Sequence, residues 1–270
     1  MKRILIIVLS LIIIGALGYV IFYLISSDPK IPVSTSDNIV VKIDGQEVSE
    51  WREENRTGIS AETGLLKSWP EGGPALIWSN LELPSGHSSP SFGNNTIYIT
   101  GNDDQNDLLV ALDPGGKVKW QTAYGTSWNS SNPESRCTPT VEGEKVWVSS
   151  GSGELACING ITGDIIWSVK ASEMHKGTFG AWGIAESLII DGEKVYFSPG
   201  GPETMTIALD KTTGTLVWKS ESLDDKPMYV SPIMIEHAGI KMIVNISRNF
   251  IYAVDASTGV IIWKIRNEDV

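Results

Sequence analysis

Cysteine and histidine are scarce in this chain, with two and three residues respectively among 270. His87, His175 and His237 are scattered without metal-ligand spacing, and no HExxH pattern occurs. A P-loop, a dinucleotide-binding glycine fingerprint and a GxSxG elbow are all missing, which removes the commonest nucleotide-dependent and serine-hydrolase chemistries. Positive charge is also short: 21 Lys and Arg stand against 32 Asp and Glu, for a net charge of -11. With no basic stripe beyond the N-terminus, a nucleic-acid partner is excluded, because such binding rests on cations that neutralise phosphates.

Charge disappears altogether between Ile4 and Ile25. That run is long enough to cross a hydrocarbon core of about 30 Å as a helix. It also exceeds the roughly 7–15 apolar residues of a cleavable signal, and no small-x-small site follows it. It is read as an uncleaved signal anchor, one N-terminal transmembrane helix over residues 4–25, with a removed signal peptide as the alternative. Lys2 and Arg3 then stay cytoplasmic and everything after Ser26 is extracytoplasmic, on the periplasmic side of the cell membrane. No Cys ends the run, so a lipid anchor is not supported. Residues 26–50 form a linker, polar and Pro-containing at first, with a short alternating run whose Asp44-Gly45 could turn a hairpin.

What the sequence does have is ten Trp and one phrase used four times. It reads ALDPGGKVKW to Trp120, CINGITGDIIW to Trp167, ALDKTTGTLVW to Trp218 and AVDASTGVIIW to Trp263, and these Trp are 47, 51 and 45 residues apart. A period in the forties with strand-like segments is the signature of a β-propeller. Each unit divides into four short strands. The first begins at Ser89-Pro90, Thr138-Pro139, Glu186-Ser187 and Ser231-Pro232; the second is NTIYITG, KVWVSSG, KVYFSPG and KMIVNIS. The third ends in the acid or amide, and the fourth carries the Trp. Runs such as VWV, IIW and LVW are apolar at consecutive positions, as expected of sheets covered on both faces. The turn glycines Gly163, Gly214 and Gly259 supply φ > 0, and the small residues Ala111, Cys157, Ala208 and Ala253 leave room for an adjacent blade against which Trp packs. Cys137 and Cys157 fall on first and third strands of one unit, about 9.5 Å apart. A disulfide does not span that separation.

The phrase A-x-D-x-x-T-G-x-x-x-W resembles the tryptophan-docking repeat of the pyrroloquinoline quinone (PQQ)-like β-propellers, over residues 75–270. The resemblance implies an all-β propeller of four-stranded tryptophan-docked blades spanning residues 51–270. Residues 51–74 (WREENRTGISAETGLLKSWPEGGP) are read as a lead-in draped over the outside, and residues 75–81 (ALIWSNL) as an orphan strand carrying Trp78. Four units plus an orphan strand leave a ring open, so the sequence is expected to be a C-terminally truncated fragment of a six- to eight-bladed protein.

The family contains quinoprotein alcohol dehydrogenases and the propeller of the outer-membrane assembly machinery, so the resemblance fixes no activity by itself. For a dehydrogenase it implies PQQ, a calcium ion, an Asp base and adjacent cysteines. Adjacent cysteines are absent, and no Asp can be carried over as base. Glu186, at the head of an inner strand where the other units have Ser or Thr, is the one residue matching a calcium-ligand or cofactor-binding role. It is expected to face the central channel, where it could equally be solvated or pair with Arg136. Arg136 could hold an anionic group or form such a channel salt bridge. Trp182 lies with His175 in the long connection 168–185, and residues 121–136 form a second long connection on the same ligand-binding face. The acidic loop 102–107 (NDDQND) lacks calcium-loop spacing. These features lead to a non-catalytic, membrane-anchored extracytoplasmic propeller binding an envelope protein or small ligand on its top face. A PQQ- and calcium-dependent alcohol or sugar dehydrogenase is the alternative.

Overall fold

A computed structural model describes residues 48–269. Its regular structure is four antiparallel four-stranded sheets, each made from consecutive strands. The first contains β1 (Ser91–Gly93), β2 (Thr96–Asn102), β3 (Asn106–Leu112) and β4 (Val118–Thr126). The second contains β5 (Thr140–Glu142), β6 (Lys145–Ser149), β7 (Leu155–Asn159) and β8 (Ile165–Val169). The third is β9 (Ile189–Asp191), β10 (Lys194–Phe197), β11 (Ile207–Asp210) and β12 (Leu216–Lys219). The fourth is β13 (Ile233–His237), β14 (Ile240–Ile246), β15 (Phe250–Asp255) and β16 (Ile261–Arg266). A single helical turn, α1 (Ala171–Met174), interrupts the connection from β8 to β9. These are propeller blades.

One expectation about the fold class needs correction. A membrane span needs about 20 consecutive apolar helical residues, whereas α1 has four. No helix among the described residues is long and apolar enough to cross a membrane. The transmembrane helix assigned to residues 4–25, and the linker and hairpin up to residue 47, lie outside the described residues. The all-β blades stand without it.

The blades are joined by the repeated phrase. Trp120, Trp167 and Trp218 each lie on the turn glycine of the following blade: a Cβ at Gly163, Gly214 or Gly259 would sit 2.8, 2.8 or 2.6 Å from their respective rings. The same glycines have φ of +82, +72 and +82°. Trp Nε1 then donates to a carbonyl in that turn, from Trp120 to Gly160 at 3.2 Å, from Trp167 to Lys211 at 3.0 Å and from Trp218 to Ala256 at 3.3 Å. A second aromatic group, on the second strand of the same blade, reaches the same oxygen: Tyr98 OH to Gly160, Trp147 Nε1 to Lys211 and Tyr196 OH to Ala256. The acid or amide holds the turn itself, as Asp210 Oδ1 accepts from the N–H groups of Thr212 and Thr213. Ala111, Cys157, Ala208 and Ala253 are fully buried, each directly opposite its Trp across the ladder.

Immediately after each of these small residues the register shifts by one residue, in all four blades. Such a bulge leaves an extra residue on the outer strand. It revises the reading of IIW and LVW: Ile165, Ile166, Leu216 and Val217 are exposed on the outer strands, while Val146, Trp147 and Val148 in a central strand are fully buried. Consecutive apolar residues mark two-sided burial in the central strand and a bulge in the outer one.

One further point differs from the sequence reading, and the two cysteines follow it. Residues 75–81 carry no strand, because nothing pairs with them; Trp78 nevertheless lies on Gly116 and donates to Pro114 O at 2.9 Å. Docking therefore needs the Trp and the glycine turn but not the ladder. Cys137 and Cys157 are free and buried, with burial pushing their thiols up to about 11 and about 12.

Gly214→Ala should cost more than its backbone strain. Gly239 has a similar φ, +78°, but open space around it, so Gly239→Ala isolates the left-handed penalty of about 1–2 kcal/mol. Gly214→Ala, which must also displace the Trp167 ring, is expected to lower the melting temperature at least twice as far. Equal melting temperatures for the two variants would remove the docking contact from this account.

Candidate functional site

The inner strands converge on a segment that the sequence reading placed on the outside. Val48 O accepts from Phe92 N in β1, and Ser49 O accepts from Val141 N in β5, both at 2.7 Å. Arg56 continues the line. Its Nη1 donates to Ser187 O at 2.8 Å and Pro232 O at 3.0 Å, its Nη2 to Leu188 O at 2.5 Å and its Nε to Glu50 Oε2 at 3.1 Å. Residues 48–56 thus touch the inner strand, or the residues leading into it, in every blade. Placing this buried cation requires Arg52, Glu53, Asn55 and Arg56 all to take positive φ. Such non-glycine residues persist where surrounding contacts over-determine them.

Main-chain bonds between blades settle the register of the strand heads. Ser89 N donates to Thr138 Oγ1, Thr138 N to Ser187 Oγ and Ser187 N to Ser231 Oγ. Ser187, and not Glu186, therefore occupies the Ser/Thr position. A shift of one residue in an extended segment turns a side chain to the opposite face. Glu186 accordingly does not face the channel: it is 3 % exposed and packed beside Ser198, which hydrogen-bonds its carboxyl group. Ser198 Oγ in turn accepts from Asn245 Nδ2 at 2.8 Å. Burial pushes the Glu186 carboxyl up to about 8, against the opposing field of Arg56 and the bonds from Ser198. Its Oε1 makes no hydrogen bond. The cation beside it is Arg56 rather than Arg136.

The residue two positions before each head does face the axis. His87, Arg136, Ala185 and Tyr229 hold that position, and together with Trp51 they line a cleft of about 330 Å³. An adjoining hollow of about 360 Å³ adds Trp182, Asn132 and Glu134. Arg136 Nη1 donates to Glu134 O at 2.5 Å and its Nη2 to Asn132 O, and the guanidinium lies over the Tyr229 ring, 5.5 Å from its centroid. Tyr229 meets Trp182 edge to face at 5.7 Å. His87 pairs with the Glu134 carboxylate. The two long connections that carry Arg136 and Trp182 are locked together by Trp128 against Phe179 at 5.3 Å and by a bond from Ser131 Oγ to Ala181 O. Trp182 is 50 % exposed and Tyr229 39 %.

The cleft thus unites Arg136 and Trp182 and leaves Glu186 out. His87 and Tyr229 were legible in the repeat, at the same offset from the strand head as Arg136, once that head is set at Ser187. In the acidic loop, Asp103 Oδ1 accepts from the N–H groups of Gln105 and Asn106 and serves the turn.

These residues do not fit a calcium-bound quinone. Glu186 is a buried carboxyl group that burial pushes up to about 8, beside a guanidinium, and both thiols are buried and separate. No group of three or more His, Cys, Asp or Glu among the described residues is placed to hold a metal ion.

The raised Glu186 group has a pH consequence. A carboxyl that holds its proton to about pH 8 when folded, but titrates near 4.5 when unfolded, contributes stability that is full below the unfolded value and is lost as pH rises through the folded one. Wild-type stability should fall between about pH 5 and pH 8, and Glu186→Gln should flatten that fall and exceed the wild type at pH 8. Denaturant titrations at several pH values measure this; identical slopes would show that Glu186 is not the group responsible.

Comparison with known proteins follows the same lines. A family model described as outer membrane protein assembly factor BamB matches residues 36–197 and again 106–268. An outer membrane protein assembly factor BamB from Shewanella oneidensis is 21% identical over 77% of this chain and 50% of its own length. A polyvinylalcohol dehydrogenase from a Pseudomonas species is 31% identical over 59% of this chain and 26% of its own length. The chain thus spans half or less of the length of these curated relatives. Among solved structures, a europium-containing methanol dehydrogenase superposes with a TM-score of 0.54 at 17% identity, covering 72% of this chain and 45% of that one, which shows the fold alone. Since the two matched stretches together take in most of the sequence, the chain belongs to the PQQ-like β-propeller family whose model is that of the outer membrane protein assembly factor BamB.

Proposed function

We propose that this chain is a non-catalytic extracytoplasmic propeller that docks an envelope protein through the cleft of His87, Arg136, Trp182 and Tyr229. The carrying observation is the composition and setting of that cleft. Trp, Tyr and Arg are the residues that dominate protein-binding hot spots; here Trp182 and Tyr229 stand half-exposed, and the connections that carry Trp182 and Arg136 are packed against each other. Beneath them the axis is filled by the chain's own residues 48–56. The extracytoplasmic setting is supported by the assembly-factor relative. The polyvinylalcohol dehydrogenase relative favours the alternative, a quinone-dependent dehydrogenase, but the buried Glu186 and the separate cysteines argue against it.

A photo-crosslinking residue placed at position 182 in the full chain, in its native envelope, should trap one defined protein. That adduct should be lost with Tyr229→Ala and absent when the same residue is placed at Leu216 on an outer strand. Equal adducts at positions 182 and 216 would rule the cleft out as the docking site. PQQ with calcium should leave the melting temperature unchanged; a saturable rise, expected by mass action for a ligand of the native state, would overturn the non-catalytic reading.

A further inference from the structure

Resting on that docking role, we infer that the partner presents an acidic side chain next to an aromatic one, with the carboxylate taken by Arg136 and the ring by Trp182 and Tyr229. A guanidinium has five N–H donors in a fixed fork, and two groups of this one are held by the carbonyls of Glu134 and Asn132. Carbonyls orient a cation without neutralising it. Stacking on Tyr229 fixes the plane of the fork as well.

The surrounding charges leave the cation open. The nearest acid in sequence, Glu134, is paired with His87 and not with Arg136. Asp107 feels the field of Arg136, but one of its oxygens accepts from Ser127 Oγ at 3.3 Å and the other from Gly151 N at 2.7 Å, inside the blade interface. Among the described residues no carboxylate lies within 4.0 Å of Arg136. Trp51, which lines the cleft, is itself stacked under the Arg52 guanidinium at 5.3 Å. An oriented, uncompensated guanidinium is suited to bidentate capture of a carboxylate.

The aromatic half follows from geometry. Trp182 and Tyr229 are already edge to face, and a third ring adds to such a pair in the same offset or edge-on manner. The hollow that holds both is continuous with the one that holds Arg136, since His87, Arg136 and Tyr229 line each.

Two capped tetrapeptides test this by calorimetric titration into the full chain: acetyl-Gly-Glu-Phe-Gly-amide and its Gln counterpart. A charge-assisted hydrogen bond at a part-exposed site predicts about tenfold tighter binding of the Glu peptide. Arg136→Gln should abolish that preference, Arg136→Lys should restore part of it, and Trp182→Ala should weaken both peptides alike. Equal affinities of the two peptides for the wild type would overturn the carboxylate assignment, as would a preference that survives in Arg136→Gln. If neither peptide binds while crosslinking from position 182 still traps its partner, this inference falls and the docking role stands. If both experiments fail, both readings fall.

Discussion

The fold depends on an indole resting where no side chain can be. Each Trp needs the flat space left by a glycine one blade on, and that glycine is also the residue whose backbone closes the turn at φ near +80°. One position therefore serves two demands that both exclude a Cβ. The carbonyl beside it collects donors from two strands of the preceding blade, from Trp and from a buried Tyr or Trp. Blade-to-blade cohesion is thus apolar in area and polar in direction: burial of the rings supplies the larger free energy, and the shared carbonyl fixes how far one sheet can slide along the next.

That arrangement constrains the inner end of the sheets too. With the outer strands fixed, the inner strand heads form a regular series linked by Ser89, Thr138, Ser187 and Ser231. Main-chain groups at and just past these heads, Phe92 N, Val141 N, Ser187 O, Leu188 O and Pro232 O, also need partners. Residues 48–56 supply them with two carbonyls and one guanidinium. The four left-handed residues of that segment are held in place by the buried bonds of Arg56 and its pairing with Glu50.

Much of this was legible in the sequence, for a definite reason. A repeated phrase reports a repeated environment, so glycine turns, small residues opposite Trp and the four-stranded order of the blades all follow from lining up four copies. The bulge did not follow, because a one-residue slip leaves no distinctive composition: IIW reads the same whether both faces are covered or one residue is extruded. Residues 48–56 were unreadable for the opposite reason. They occur once, and the carbonyl partners of Arg56 lie more than 130 residues away in the chain.

Glu186 shows how small a shift in register changes a chemical conclusion. Aligned with Ser89 and Thr138, it would put a carboxylate on the axis, in the place of a metal or cofactor ligand. Aligned one residue back, with Cys137, it belongs to a position that lies between blades in both units: Thr100 Oγ1 donates to Cys137 O, and Ser149 Oγ donates to Glu186 O in the equivalent bond. The side chain is then committed to the dry interface with Ser198, where it keeps its proton. The axis-facing position passes to Ala185, the smallest member of a ring otherwise made of His87, Arg136 and Tyr229. A gap at that one place is what widens the ring into a cleft, and it lies between the two residues, Arg136 and Tyr229, that are stacked on each other. The chemistry of the top face is therefore set by which of two neighbouring residues turns inward, and the hydroxyl-to-amide chain around the strand heads is what decides it.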